Sequence, residues 1–166
     1  SSSLNVTNSE TIESLNQYKL LTLSLELSKK DYEEIIKNVS NPTKVEIVVQ
    51  GNVELMKTRQ NILNRSESKK MGNNELILID NKGNSFPTYK SISNEETTIL
   101  NNEELSLLKE MPHLIDIGYK NFAIDARWKE DQYIEIVDVY LDAINNGEVN
   151  IKKLNKYSKF NTKGNY

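Results

Sequence analysis

Leucines at 21, 23, 25 and 27 alternate with Thr22, Ser24 and Glu26. Strict alternation of apolar and polar positions marks a strand with one face turned inward, so Lys19 to Leu27 is predicted as a strand. Ser28 is placed to cap a helix from Lys29 to Val39, in which Tyr32, Ile35, Ile36 and Val39 recur at helical spacing. Asn41-Pro42 stops that helix. Val45, Ile47 and Val49 then alternate with Glu46 and Val48, which predicts a second strand from Lys44 to Gln50. Gly51 breaks the pattern, and Val53, Leu55 and Met56 carry an apolar run beyond it. Upstream, Leu4 to Asn8 reads as a short strand, Ser9 as an N-cap, and Thr11 to Asn16 as a helix with Ile12 and Leu15 on one face.

Strand, helix, strand, helix, strand in so short a span predicts parallel strands with right-handed crossovers. A parallel sheet covered on both faces has strands that are apolar on both sides. The Thr22, Ser24, Glu26 face is polar, which suits a barrel with polar residues in its lumen. Glu26 then falls near the C-terminal mouth of its strand, where barrel sites are built.

Downstream the alternation stops. Arg59 to Asn74 is polar and locally basic through Arg59, Arg65, Lys69 and Lys70, and reads as a loop. Glu75 to Ile79 and Ser85 to Lys90 read as a hairpin about the turn 80–84, with Pro87 marking an edge position. A helix is predicted from Glu103, capped by Asn101 or Asn102. Its stripe is Leu105, Leu108, Met111, Leu114 and Ile115; Pro112 kinks or restarts it and Gly118 closes it. Asn121 to Arg127 reads as a short strand with Asp125 near its end. The last strong helix runs from about Glu130 to Asn145 on a stripe of Tyr133, Ile136, Val137, Tyr140, Leu141 and Ile144. The expected divisions are residues 1–58 as a half-barrel segment, 59–74 as a loop, 75–147 as a hairpin with two helices, and 148–166 as a basic and aromatic tail.

Composition removes several chemistries. The 166 residues carry a formal charge of -3, with pI near 5.4, which argues against a general binder of nucleic acid or anionic membrane. There is no cysteine, hence no disulfide, thiol nucleophile or thiolate-held cluster. With His113 the only histidine, neither a histidine metal site nor another bound cofactor is expected. No run of 18 apolar residues suggests a membrane span. The opening SSSLNVTNSE lacks the pattern of a signal peptide, so the expected compartment is the cytoplasm.

Five segments in order resemble the collagenase-like peptidase family, catalogued as U-thirty-two. They are NVTNS (Asn5 to Ser9), LSLEL (Leu23 to Leu27), VEIVVQGNVELM (Val45 to Met56), FAIDARWKEDQYIEIVDVYLDAI (Phe122 to Ile144) and FNTKGNY (Phe160 to Tyr166). The resemblance implies the last three βα units of a TIM-type barrel with a C-terminal α+β extension. It also implies a peptidase or related hydrolase. Glu26, Asp125 and Arg127 are the candidate catalytic residues, and Arg59 and Gln50 the candidate substrate-binding ones. A carboxylate at the mouth would serve as general base and an arginine would hold a carboxylate or oxyanion. The chain departs from the family in lacking the cysteines expected after Met56, in having Gln50 where a histidine is common, and in reading Ala123-Ile124-Asp125-Ala126-Arg127 where Lys-Ile-Glu-Gly-Arg is usual. These departures point to a divergent or inactive member. The alternatives are a non-catalytic module binding peptide or RNA and, ranked last for want of a thiolate, an iron–sulfur enzyme modifying RNA. Three parallel strands would leave an open edge, so the expected partners include an N-terminal half-barrel or another copy of the chain.

Overall fold

The computed structural model describes residues 4–59, 69–70, 75–90, 96–127 and 133–155. The basic stretch predicted within 60–74, apart from Lys69 and Lys70, and the aromatic tail 156–166 lie outside the described residues. In chain order the elements are α1 (Ser9–Ser14), β1 (Leu21–Thr22), α2 (Lys29–Asn38), β2 (Val45–Thr58), β3 (Lys69–Lys70), β4 (Glu75–Ile79), β5 (Ser85–Lys90), β6 (Thr97–Ser106), α3 (Met111–Asp116), β7 (Asn121–Asp125), α4 (Tyr133–Asn146) and α5 (Ile151–Asn155). The strand order is β1-β2-β6-β5-β4-β3, with β7 also on β2. Among the described residues the sheet is mixed and open, and no closed barrel forms. Two compact units divide the chain, one of Ser1–Gly51 with Leu105–Tyr166 and one of Asn52–Glu104.

The first unit is a parallel α/β layer. Val6 makes a single parallel bridge to Leu23, β1 pairs with β2 at Leu21–Val45 and Thr22–Glu46, and β7 pairs with β2 from Asn121–Glu46 to Asp125–Gly51. All pairings run the same way, so the strands lie in the order Val6, β1, β2, β7, which is also their order along the chain. Val6, Leu21, Leu23, Val45, Ile47 and Val49 are almost wholly buried, because alternate positions point to one face. Helical stripes meet this core: Tyr32, Ile35 and Ile36 on α2, Met111 and Leu114 on α3, and Ile136, Val139, Tyr140 and Ala143 on α4. A capping box fixes the start of α2, with the Asp31 amide donating to Ser28 Oγ and the Ser28 amide donating to Asp31 Oδ2. Tyr119 stands edge-on to Tyr32, ring centroids 6.2 Å apart, and its hydroxyl donates to Tyr32 O. Burial pushes the Tyr119 phenol well above its ordinary pKa.

The second unit is an antiparallel sheet in which β5 lies between β4 and β6. Asp80 organises the β4–β5 turn: its Oδ1 accepts from the Lys82 and Asn84 amides and its Oδ2 from Asn84 Nδ2.

Several sequence expectations are corrected. The strand expected over Lys19 to Leu27 is two residues long with a bridge at Leu23. Its partner β2 begins only at Val45, after the 3-10 turn Pro42–Lys44, so Lys19 and Leu20 have nothing to pair with. Thr22 and Ser24, expected on a polar lumen face, are buried with hydrogen-bonded hydroxyls. Gly51 does not end β2, which continues to Thr58. The helix expected from Glu103 is strand β6 as far as Ser106, and helical structure starts at Leu108. Pro112 sits in the first turn of α3, where its missing N–H costs nothing. β5 itself is an inner strand, but its register with β6 starts at Thr88, so Pro87, paired only with Ile77 of β4, does stand at an edge position as expected. On α4, Tyr133, Leu141 and Ile144 of the expected core stripe are exposed and Val139 and Ala143 take their place.

Candidate functional site

Parallel strands end on one edge of their sheet, and in α/β folds that edge is where chain direction gathers loops and side chains for binding. Here the carboxyl ends of β1 and β7, and the middle of β2, bring Ser24 to Glu26, Gln50–Gly51 and Asp125 to Arg127 to one edge of the first unit.

Asp125 and Arg127 form the best-defined pair. Arg127 Nε donates to Asp125 Oδ1 at 2.8 Å and Arg127 Nη2 to Oδ2 at 2.6 Å, while the Arg127 amide donates to Oδ1 at 3.2 Å. The guanidinium fork matches a carboxylate, so both oxygens are engaged at once. These hydrogen bonds hold the Asp125 carboxyl below the usual carboxylate range, against the opposing effect of partial burial. Gly51 permits the approach of β7. Its φ is +144°, and a Cβ there would fall 2.6 Å from Asp125 Cβ and 2.7 Å from Asp125 O.

Glu26 lies in the turn after β1 and is exposed, and among the described residues its carboxylate has no partner. The turn is fixed by Ser24, whose hydroxyl donates to Asn5 Oδ1 at 2.7 Å and receives the Glu26 amide at 3.3 Å. Asn5 adopts φ 50°, a left-handed conformation that asparagine tolerates better than most residues. Gln50 is 1% exposed. Its Oε1 lies 2.9 Å from Tyr140 Oη, which also donates to Val49 O at 2.8 Å and lies 3.3 Å from Ser106 Oγ. Arg59 belongs to the other unit, where its Nε is 3.8 Å from Glu96 Oε1. Of the residues singled out from the sequence, Asp125 and Arg127 touch, Glu26 and Gln50 lie on the same unit, and Arg59 does not. Sequence reasoning missed Asn5 and Ser24 as a linked pair and Tyr140 as the partner of Gln50; the buried hydroxyl of a tyrosine on an apolar stripe was the available signal.

His113 is engaged away from these strand ends, its Nε2 2.9 Å from Glu33 Oε1. Among the described residues no cluster of three or more His, Cys, Asp or Glu could hold a metal ion, and no helix is long and apolar enough to cross a membrane.

The acid response follows from the sign of the shifts. Asp125, Glu13, Asp31 and Asp80 all have carboxyl pKa values lowered by hydrogen bonds, from Arg127, Ser40, Ser28 and Asn84 respectively. A group with a folded pKa below its unfolded value stabilises the fold above the unfolded pKa and stops doing so as pH falls through the folded one. The urea midpoint should therefore hold between pH 7 and about pH 5 and fall below about pH 4. Asp125→Asn should flatten that fall, and an unchanged acid profile in this variant would count against the Asp125 assignment.

The family model described as Peptidase family U32 matches residues 1–163. A search of curated proteins and a search of solved structures each return no match.

Proposed function

The chain belongs to peptidase family U32, and from that premise we propose that it is a binding member of a hydrolase family rather than a hydrolase itself. The observation that carries this reading is the Asp125–Arg127 fork. A carboxylate with both oxygens taken by a guanidinium and a lowered pKa is a poor general base, and the arginine that would steady an oxyanion is turned onto it. With no cysteine in the chain, a thiol nucleophile and thiolate ligands for an iron–sulfur cluster are both missing.

The order Val6, β1, β2, β7, all parallel with helices between, supports reading the first unit as an arc of a (β/α) barrel, and the strand ends as its mouth. In this reading the mouth binds peptide. Glu26 offers an unengaged carboxylate for a cationic group of the ligand, while Asp125–Arg127 sets the wall and the buried Gln50–Tyr140 pair supports it from behind. The net charge of -3 favours a peptide over RNA.

A second reading keeps catalysis, because the unpartnered Glu26 carboxylate is open to a water molecule. One experiment separates the two. Fluorescently labelled lysine-containing and aspartate-containing peptides are titrated with the protein by anisotropy, and the same peptides are followed for cleavage. Binding of the cationic set without cleavage, weakened roughly tenfold by Glu26→Gln, is the expected result. Cleavage by the wild type that vanishes in Glu26→Gln would instead make Glu26 the general base.

A further inference from the structure

One chemical feature of the first unit plays no part in the strand-end site. Asn146 is the only asparagine in the sequence followed by glycine. It is the last residue of α4, and Gly147 leaves the helix at φ +70°, the left-handed conformation that commonly ends a helix. Residues 144 to 148 are all exposed. Among the described residues the Asn146 carboxamide makes no hydrogen bond. A Cβ added at Gly147 would meet nothing within 4 Å, so the junction is not packed against other parts of the chain.

Asparagine is a chemically labile residue. It converts most readily where its carboxamide is unengaged and the next residue has no side chain to obstruct the amide nitrogen. Every other asparagine of the chain fails on the second count, since none precedes a glycine. Several fail on the first as well. Asn84 precedes the small Ser85, but its Nδ2 donates to Asp80 Oδ2 at 2.8 Å. Asn38 donates to Glu34 O at 2.9 Å and precedes the branched Val39. Asn121 donates to both Thr43 O and Val45 O at 3.0 Å. Asn146 alone meets both conditions.

We propose that Asn146–Gly147 is a site of spontaneous modification, at which the asparagine becomes aspartate and isoaspartate as the protein ages. The Gly147 amide gives up its proton to base, and its nitrogen attacks Asn146 Cγ. The new C–N bond closes a five-membered succinimide as the Cγ–Nδ2 bond breaks, and the carboxamide nitrogen leaves as ammonia with a proton returned from solvent. Water then opens the ring. Cleavage of the new C–N bond gives aspartate, and cleavage at the other carbonyl gives isoaspartate, in which the backbone runs through the side-chain carbon. Either product puts a carboxylate at the carboxyl end of α4, where the helix dipole and the acidic Asp142 and Glu148 nearby in the chain disfavour it. Isoaspartate also lengthens the chain between two bonded residues, because the Glu148 amide donates to Asp142 O at 3.4 Å. Asp142 in turn carries the link to α5, its Oδ2 lying 3.5 Å from Lys153 Nζ. Modification therefore loosens the junction of α4 with α5.

Peptide mapping of the full chain after incubation at neutral and mildly alkaline pH tests the site, and needs neither peptide binding nor turnover. The peptide carrying the end of α4 should convert to two products with the mass of an amide turned into an acid. It should do so faster than any other asparagine-containing peptide, and faster still as pH rises. Asn146→Gln should abolish the conversion, because glutamine would have to close a six-membered ring. Gly147→Ala should slow it severalfold, in a place that accepts the methyl group. Hydrogen exchange over 148–153 should quicken in the aged wild type and not in aged Asn146→Gln. Conversion led by Asn84, or conversion at Asn146 only after unfolding in urea, would overturn the proposal, since the folded helix end would then hold the carboxamide away from Gly147. Unchanged exchange in fully converted protein would overturn the loosening of α5.

Discussion

Gly51→Ala is expected to lower the stability of the fold by about 3 kcal/mol, with a fall in Tm of about 6 to 12 °C for a chain of this size. Two costs combine. At φ +144° an L side chain is strained wherever it points, and the added methyl lies 2.6 Å from Asp125 Cβ and 2.7 Å from Asp125 O. The second contact is the harder to relieve, because that oxygen belongs to the backbone of β7 and Gly51 is its register partner in β2. Relief requires the end of β7 to move away, and Asp125 and Arg127 move with it. Gly83→Ala is the control. Gly83 has φ +84° but nothing within 4 Å of an added Cβ, so it should cost only the backbone strain, about 1 kcal/mol. The difference between the two variants, measured by urea unfolding, isolates the close approach of β7. Equal costs would mean that β7 does not sit against Gly51 in solution.

What the sequence made legible and what it did not divide along a physical line. Alternation and helical spacing report which residues of a segment share a face, and that information was sound for the Leu21 strand, for α2 and for the Leu105–Leu114 spacing. On α4, by contrast, half of the expected stripe, Tyr133, Leu141 and Ile144, is exposed. The leucines at 21, 23 and 27 are buried, and α2 follows its Ser28 cap with its stripe inward. Leu105, Leu108, Met111 and Leu114 are buried as well. Their secondary structure was misread because a three-residue spacing across a strand–turn–helix junction mimics a helix. The threonines and Ile99 that prefer a strand there are held by β5, through Thr88–Ile99 and Tyr89–Thr98. Strand length also depends on the neighbour, and nothing in KLLTLSLEL says that its partner starts as late as Val45.

The site divides in the same way. Asp125 and Arg127 are two positions apart, so their pairing was within reach of the sequence, although the fork itself was not. The return of β7 to β2 was out of reach, since the whole second unit is spelled out between them. A parallel neighbour that arrives after so long an excursion leaves no local trace. Asn5, Ser24 and Glu26 illustrate the middle case: the residues stood out as motif members, but that Asn5 holds Ser24, and Ser24 the turn carrying Glu26, comes only with the Val6–Leu23 bridge.

Tyr140→Phe should cost about 2 kcal/mol, although it removes one oxygen atom and leaves the apolar stripe of α4 intact. Tyr140 and Gln50 are both buried, and they meet across ninety residues of chain. The register of β2 with β7 shifts between Val48 and Gln50, so Val49 O stands at an irregularity where it accepts from both the Leu107 amide and the Tyr140 hydroxyl. Without the hydroxyl, Val49 O keeps Leu107, but the Gln50 side chain loses a hydrogen-bonding partner in a place water does not reach. The penalty therefore comes mainly from Gln50, and Gln50→Met should recover part of it in the Tyr140→Phe background, because an apolar side chain facing the phenylalanine ring no longer needs the lost hydroxyl. A double-mutant cycle by urea unfolding would then show a coupling of roughly 1 kcal/mol between the two sites. Were Gln50 instead turned to a ligand, Gln50→Met would weaken peptide binding while the cycle showed no coupling. Coupling without loss of binding would make Gln50 a residue that holds α4 against β2, placing the ligand's contacts at Glu26 and the strand ends beside it.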